Sequence, residues 1–192
     1  MNIIETKFFW SGSLQKRAKT DYIILHHRAG NGDVQSIHDY HINGKKWVGI
    51  GYHFYIRKDG SIYRGRPINT IGAHTENMNF VSVGVCFEGN YHDIDKVMPT
   101  EQLKAGQELI AYLKGIYPDA EVKGHRDFQA TGCPGQYFPF EGIKRGENKM
   151  DIETAKKILK EKAGLDDSTI QYLMFYKYGK ELVIKLAEKM GT

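Results

Sequence analysis

His26, His125 and Cys133 are the residues of this 192-residue chain whose types suit a borderline metal ion. His26 closes the apolar run Tyr22-Ile23-Ile24-Leu25. His125 and Cys133 bracket one loop, Gly124-His125-Arg126-Asp127-Phe128-Gln129-Ala130-Thr131-Gly132-Cys133-Pro134. Two imidazoles and a thiolate are a donor set for Zn2+ at about 2.0–2.3 Å, and catalytic zinc sites keep a fourth position for water. One thiolate offsets one of the two charges, and such an ion brings water toward a pKa of about 7, a usable nucleophile at neutral pH. Spacing alone leaves a second reading open. A His eight residues before a Cys is no finger pattern, and a buried free cysteine beside two surface histidines would look the same.

The elements that must position these residues are legible in outline. Tyr22 to Leu25, a continuous apolar run with β-branched Ile23 and Ile24, predicts a central strand ending at His26-His27. Asp33 can cap a short helix carrying Val34, Ile37 and Tyr40 or His41 on one face. Ile50 to Ile56 alternates, Lys58-Asp59-Gly60-Ser61 supplies a turn and Ser61 to Gly65 returns, which predicts a hairpin. Val81 to Phe87 predicts another strand, with Gly84 allowing a close approach. Thr100 is the expected N-cap of a helix carrying Leu103, Gln107, Ile110 and Leu113, broken by Gly115 and Pro118. A strand at Glu121 to Gly124 then delivers His125. Strands and helices alternate without strict βαβ order, so the expected fold is α/β, a mixed central sheet flanked by helices.

Composition changes after Phe140. A catalytic domain over 1–143 is expected, then a polar linker over 144–150 and a three-helix module over 151–192. In that module Asp151 can cap a first helix with Ile152, Ala155, Ile158 and Leu159 inward, ending at Gly164. Asp167 can cap a second with Ile170, Leu173 and Met174, ending at Gly179, and Leu182, Val183, Leu186 and Ala187 mark a third. Its 42 residues are near the lower limit for folding alone, so the module is expected to lean on the main domain, on a twin or on a ligand.

Apolar residues at 41%, charged at 26% and aromatic at 12% argue against wholesale disorder. No apolar run approaches the roughly 18 residues of a membrane span, and Met1 to Thr20 lacks a charged-then-apolar secretory leader. The net charge of +4 suits an anionic partner without naming one. Residues 151–192 carry eight Lys against seven Asp and Glu, which argues against nucleic acid as that partner. Two cysteines allow at most one disulfide.

Four segments in register resemble the type-2 N-acetylmuramoyl-L-alanine amidases, zinc hydrolases that include phage lysozyme-type amidases and animal peptidoglycan recognition proteins. They are Ile24-Leu25-His26-His27; Ile50-Gly51-Tyr52-His53-Phe54-Tyr55-Ile56 with Asp59-Gly60; Gly72-Ala73-His74 with Asn79 and Ser82-Val83-Gly84-Val85; and Gly124-His125-Arg126-Asp127 through Thr131-Gly132-Cys133-Pro134-Gly135. The resemblance spans Tyr22 to Phe140 and implies zinc held by His26, His125 and Cys133, with His27 as the alternative to His26. It implies hydrolysis of the amide between N-acetylmuramic acid and L-alanine in bacterial peptidoglycan. The other expectation is a peptidoglycan-binding module of the same fold that does not cut.

By the same resemblance, Tyr52 orients the nucleophile or stabilises the tetrahedral intermediate, and Thr131 donates one uncharged hydrogen bond to the oxyanion. His74 and Asn79 fall in a loop bordering the substrate groove, where His74 either binds peptide or glycan or structures the loop. Some relatives carry a glutamate where this chain has Cys86, so Cys86 is expected to be a buried strand residue and Glu88 is a weak proton-transfer candidate. His38 and His41 are expected on a helix face, packing and facing solvent, and His53 to be structural. Without a leader, the expected setting is a phage or prophage endolysin made in the cytoplasm and acting on the wall after release. The helical tail would then target the wall or form a homodimer.

Overall fold

The run Tyr22-Ile23-Ile24-Leu25 has no polar face, so it extends only where both sides are covered. In the computed structural model, which describes residues 1–145 and 152–191, it forms β2 (Tyr22–His27). Two parallel neighbours enclose it, β5 (Ser82–Phe87) and β6 (Glu121–Gly124). With β1 (Ile3–Ile4), β3 (Phe54–Ile56) and β4 (Ile62–Arg64), the mixed sheet runs β1-β4-β3-β5-β2-β6. Only β3 and β4 pair antiparallel, across the expected turn, where Gly60 adopts φ +84° and Asp59 Oδ1 accepts from Ser61 N at 2.9 Å.

Alternation along the strands sorts side chains between two layers. Ile23, Leu25, Val83, Val85 and Phe87 pack under α2 (Thr100–Ile116) against Leu109, Ile110 and Leu113. Gly106 lets the helix approach, since a Cβ there would sit 2.7 Å from the Phe87 ring. Tyr55 and Cys86 face the other layer, with Ile50 and with Val34 and Ile37 of α1 (Val34–Asp39). His26 stands opposite Cys86 in the ladder and shares that second face, whereas His27 falls on the face of Leu25.

Several local expectations need correction. The expected strand from Ile50 begins only at Phe54. The imidazoles of His38 and His41 take the N–H groups of Ile50 and Gly51, at 3.2 and 3.1 Å, that a ladder would have used. Those two rings are therefore buried rather than solvent-facing, and His41 lies in a π-helical turn (Tyr40–Gly44) that continues α1. Pro99, not Thr100, is the N-cap of α2. Lys144 closes α3 (Phe140–Lys144), whose Ile143 is buried in the main core, so the helical part of the chain extends into the expected linker. Residues 146–150 of that linker, and the expected cap Asp151, lie outside the described residues.

The chain divides into two compact units, Met1–Glu147 and Asn148–Thr192. The second contains α4 (Ile152–Ala163), α5 (Asp167–Met174) and α6 (Gly179–Gly191) around Ala155, Leu159, Ile170, Val183 and Ala187. Gly164 ends α4 at φ +64° as expected. Asp166 rather than Asp167 caps α5, its carboxylate accepting from Thr169 N at 2.7 Å. Gly179 opens α6 instead of ending α5, and glycine is required there since a Cβ would lie 2.1 Å from the Leu173 carbonyl oxygen. The inward stripe of α6 is Val183 and Ala187, which leaves Leu182 and Leu186 exposed. Among the described residues no helix is long and apolar enough to cross a membrane.

Candidate metal centre

β6 ends at Gly124, opposite Leu25 of β2, so the residues that follow, His26 within β2 and His125 just beyond β6, emerge at the same edge. Their rings lie 4.6 Å apart. The loop after β6 returns because Arg126 N donates to Cys133 O at 2.9 Å, and Asp127 holds the strand end through Gly124 N at 2.8 Å. Cys133 Sγ thereby lies 3.7 Å from His26 Nδ1. One donor atom from each of His26, His125 and Cys133 falls within 4.8 Å of the others. Nitrogen and sulfur ligands at ordinary zinc distances and a tetrahedral angle stand about 3.5 Å apart, so the donor set fits such an ion.

Hydrogen bonds select the donor atom on each ring. His26 Nε2 lies 3.0 Å from His74 Nδ1 and 3.3 Å from Thr75 Oγ1, which leaves Nδ1 turned to the sulfur. His125 Nε2 is held by the Gln129 side-chain carbonyl, leaving its Nδ1 as the second donor. His27, the alternative ligand, spends its own Nδ1 on Tyr91 N at 3.0 Å, and its backbone N–H points at Cys133 Sγ at 3.4 Å. His26 is 1% exposed and His74 8%. Burial, then neighbouring imidazoles, holds both well below 6.5, so both rings are neutral at pH 7 and available as ligand and acceptor. Burial pushes the Cys133 thiol up to about 11, so the sulfur needs a cation to become a thiolate at neutral pH.

Tyr52 stands over the site with its ring 5.1 Å from that of His26 and 5.7 Å from that of His41. Burial and the nearby Cys86 and Cys133 push the phenol well above 10, which makes it a hydrogen-bond donor rather than a base. Thr131 is exposed on the loop, and its Oγ1 accepts from Cys133 N at 3.2 Å, leaving the hydroxyl proton to donate elsewhere. Asn79 takes a supporting position: its Oδ1 accepts from the N–H groups of His74 and Thr75, at 2.7 and 3.0 Å. Cys86 is a buried strand residue.

Glu88 is not at the site. Its buried carboxylate accepts from Gly32 N at 2.8 Å and Lys58 N at 3.0 Å and pairs with Arg57, so it ties loops together. His53 is structural: its Nε2 donates to Thr70 O at 2.8 Å and its Nδ1 accepts from Gly84 N at 3.0 Å. Sequence reasoning missed Gln129 and Thr75. Gln129 carried a signal, since it lies four residues after His125 and Gln129 N donates to His125 O at 3.2 Å, one turn that returns the amide to the ring. Thr75 carried none beyond its adjacency to His74.

Solved relatives share this architecture. The amidase LysC from Clostridium intestinale superposes with a TM-score of 0.71 at 38% identity, over 76% of this chain and 96% of that one. Ph2119 endolysin, from a Thermus scotoductus bacteriophage, gives 0.66 at 29% identity, over 76% and 98%. In sequence, peptidoglycan recognition protein 1 of Bos taurus is 37% identical over 136 residues, 64% of this chain and 70% of that protein. The endolysin of Enterobacteria phage K11 is 31% identical over 126 residues, 62% and 83% of the two chains. Residues 16–136, which carry every donor atom just described, match the N-acetylmuramoyl-L-alanine amidase family, and the chain belongs to it.

Proposed function

We propose that this protein is a zinc-dependent hydrolase that cuts the amide between N-acetylmuramic acid and L-alanine in bacterial peptidoglycan. The observation that carries the reading is the convergence of His26, His125 and Cys133 at one strand edge, with two imidazole nitrogens and a thiol within 4.8 Å. Bound zinc supplies a Lewis acid that polarises a carbonyl and makes water acidic enough to act at neutral pH.

The chain's own residues do the rest. His26, His125 and Cys133 hold the ion from the protein side. The Tyr52 phenol, protonated at neutral pH, donates a hydrogen bond to the charge that develops on the amide oxygen and stabilises the tetrahedral state. Thr131, exposed on the facing loop, donates a second, uncharged one. Among relatives, the complex of tracheal cytotoxin with the ectodomains of peptidoglycan recognition proteins LCa and LCx supports peptidoglycan chemistry as the ligand class.

Retention of the cysteine donor favours cutting over binding without hydrolysis. Zinc per chain by elemental analysis, together with release of free L-alanine N-termini from purified walls, tests the reading. Zinc near one per chain and release that ceases in His26→Ala are expected. Wall binding without release in the zinc-loaded protein would establish the binding module instead. The endolysin relatives support synthesis inside a bacterium and action on the wall after release.

The C-terminal unit serves to hold the enzyme on the wall. Tyr172, Phe175, Tyr176 and Tyr178 are all exposed around the end of α5, and Phe175 is 90% so. Wall pelleting by the full chain and by a chain ending at Lys149 should differ. Equal pelleting, with loss of a dimer on truncation, would assign the unit to self-association.

A further inference from the structure

The loop from Gly72 to Ser82 has no donor atom in the metal set, yet it brings His74 and Thr75 directly behind His26. His74 Nδ1 lies 3.0 Å from His26 Nε2, and Thr75 Oγ1 lies 3.3 Å from the same nitrogen and 3.1 Å from His74 Nδ1. On the far side of the His74 ring, Nε2 faces Ser82 Oγ at 3.5 Å, and Ser82 Oγ sits 2.7 Å from the Met78 carbonyl.

We propose that His74 is a positioning residue: backed by Ser82 and the Met78 carbonyl, it holds His26 in the tautomer that turns a bare Nδ1 to the metal. The direction of the chain follows from its end. A carbonyl oxygen only accepts, so the single Ser82 hydroxyl proton goes to Met78 O. Ser82 Oγ is then left as an acceptor and takes the His74 Nε2–H. A neutral imidazole carries one N–H, so His74 Nδ1 has only a lone pair to offer. His26 Nε2 must therefore carry its proton, given to His74 Nδ1 or to Thr75 Oγ1, and His26 Nδ1 has none. The opposite tautomer would place an N–H where a ligand lone pair is required. Partners of this kind behind a ligating histidine fix its tautomer and ring angle, and their loss typically costs 10–100-fold in metal affinity.

A second feature shows that the fold makes room for this ring. A Cβ on Gly84 would lie 2.5 Å from His74 Cδ2, and one on Gly72 also 2.5 Å from the same atom. Two glycines on different segments, β5 and the loop, thus clear the space that the imidazole fills. Asn79 fixes the loop from below through the N–H groups of His74 and Thr75.

The proposal rests on the zinc reading for its consequence but not for its geometry, and two measurements separate them. Long-range 1H–15N correlation spectra of the metal-free protein at pH 7.5 report the tautomer of His26 directly. The Nε2–H form is expected, and an Nδ1–H form in the wild type would overturn the proposal whatever the metal does. Zinc affinity, read by competition with a chromophoric chelator, should fall 10–100-fold in His74→Leu. His74→Asn, whose amide oxygen can stand in for Nδ1, should recover most of that loss, and Ser82→Ala should lose less than His74→Leu. His74→Leu binding zinc within twofold of wild type, with an unchanged circular dichroism spectrum, would overturn it. Should His74→Leu fail to fold, the wild-type tautomer and the Ser82→Ala spectrum decide. A wild type that binds no zinc would remove the zinc reading alone, and the spectra would still test His74.

Discussion

Six of the eight histidines divide into two regions that use the same ring differently. At the ends of β2 and β6, His26 and His125 give their Nε2 atoms to side-chain acceptors and keep Nδ1 for the space beside Cys133. Around that edge, His27, His38, His41 and His53 each spend Nδ1 on a backbone N–H, from Tyr91, Ile50, Gly51 and Gly84. A ring that has committed its lone pair to the backbone cannot ligate a metal, and a ring with a bare nitrogen does not hold a loop. The lesson is that a histidine count says little about metal chemistry until the partner of each nitrogen is known.

Substitutions at the two regions should separate accordingly. The largest effect is expected for Cys133→Ala and His26→Ala. Zinc should fall from about one per chain to near none, and lysis of purified walls should fall at least a thousandfold, as the proposed zinc chemistry requires. Retention of zinc in either variant would break the division. Tyr52→Phe should keep zinc and lose about 10²–10³ in kcat, the usual cost of one donor to a developing oxyanion. Steady-state kinetics on a soluble muropeptide would read it, and a change confined to KM would count against the assigned role.

In the loop region the signature reverses. His38→Phe removes the partners of Ile50 N and Phe9 O, so it should lower unfolding free energy by about 2–4 kcal/mol while zinc affinity stays within twofold. Denaturant melts and chelator competition on the same sample sharpen the comparison. Burial holds His41 near 4 and His53 near 3, below the roughly 6.5 of an unfolded histidine. The unfolded chain binds more protons between those values, so this stability is complete above pH 6.5 and is lost as the pH falls through about 4 for His41 and about 3 for His53. Thermal melts from pH 7.5 to 4.5 should show the midpoint falling, and a flat profile would contradict neutral buried rings. The smallest effect belongs to Thr131→Val, about tenfold in kcat, as one exposed, uncharged hydrogen bond is lost.

Much of this was legible in the residues themselves. An apolar strand ending in His-His, a second strand leading into Gly-His and a Cys at the far end of the following loop supply the donor types, while their convergence is an expectation from the family resemblance. Alternation alone assigns His26 and His27 to opposite faces, because successive strand residues point opposite ways. The hydrophobic spacing of α2, α4 and α5 likewise reads directly as buried faces.

What only the tertiary structure decided are choices between equivalent local options. Whether Ile50 and Gly51 join a strand depends on two imidazoles from a helix above them, and no local propensity contains that competition. Glu88 would share the face of Cys86 if the strand continued, yet β5 ends at Phe87, the chain turns at Gly89, φ +124°, and the carboxylate goes to loop amides instead of the site. The His74 ring lies 3.0 Å from His26 Nε2 in space that Gly72 and Gly84 leave clear, a placement that no local pattern contains. Residue types and periodicity determine which groups are available and which face they share. Which atom of each group meets which partner is set by contacts between segments far apart in the chain, because hydrogen bonds and close packing act over ångströms in space and not over positions in sequence.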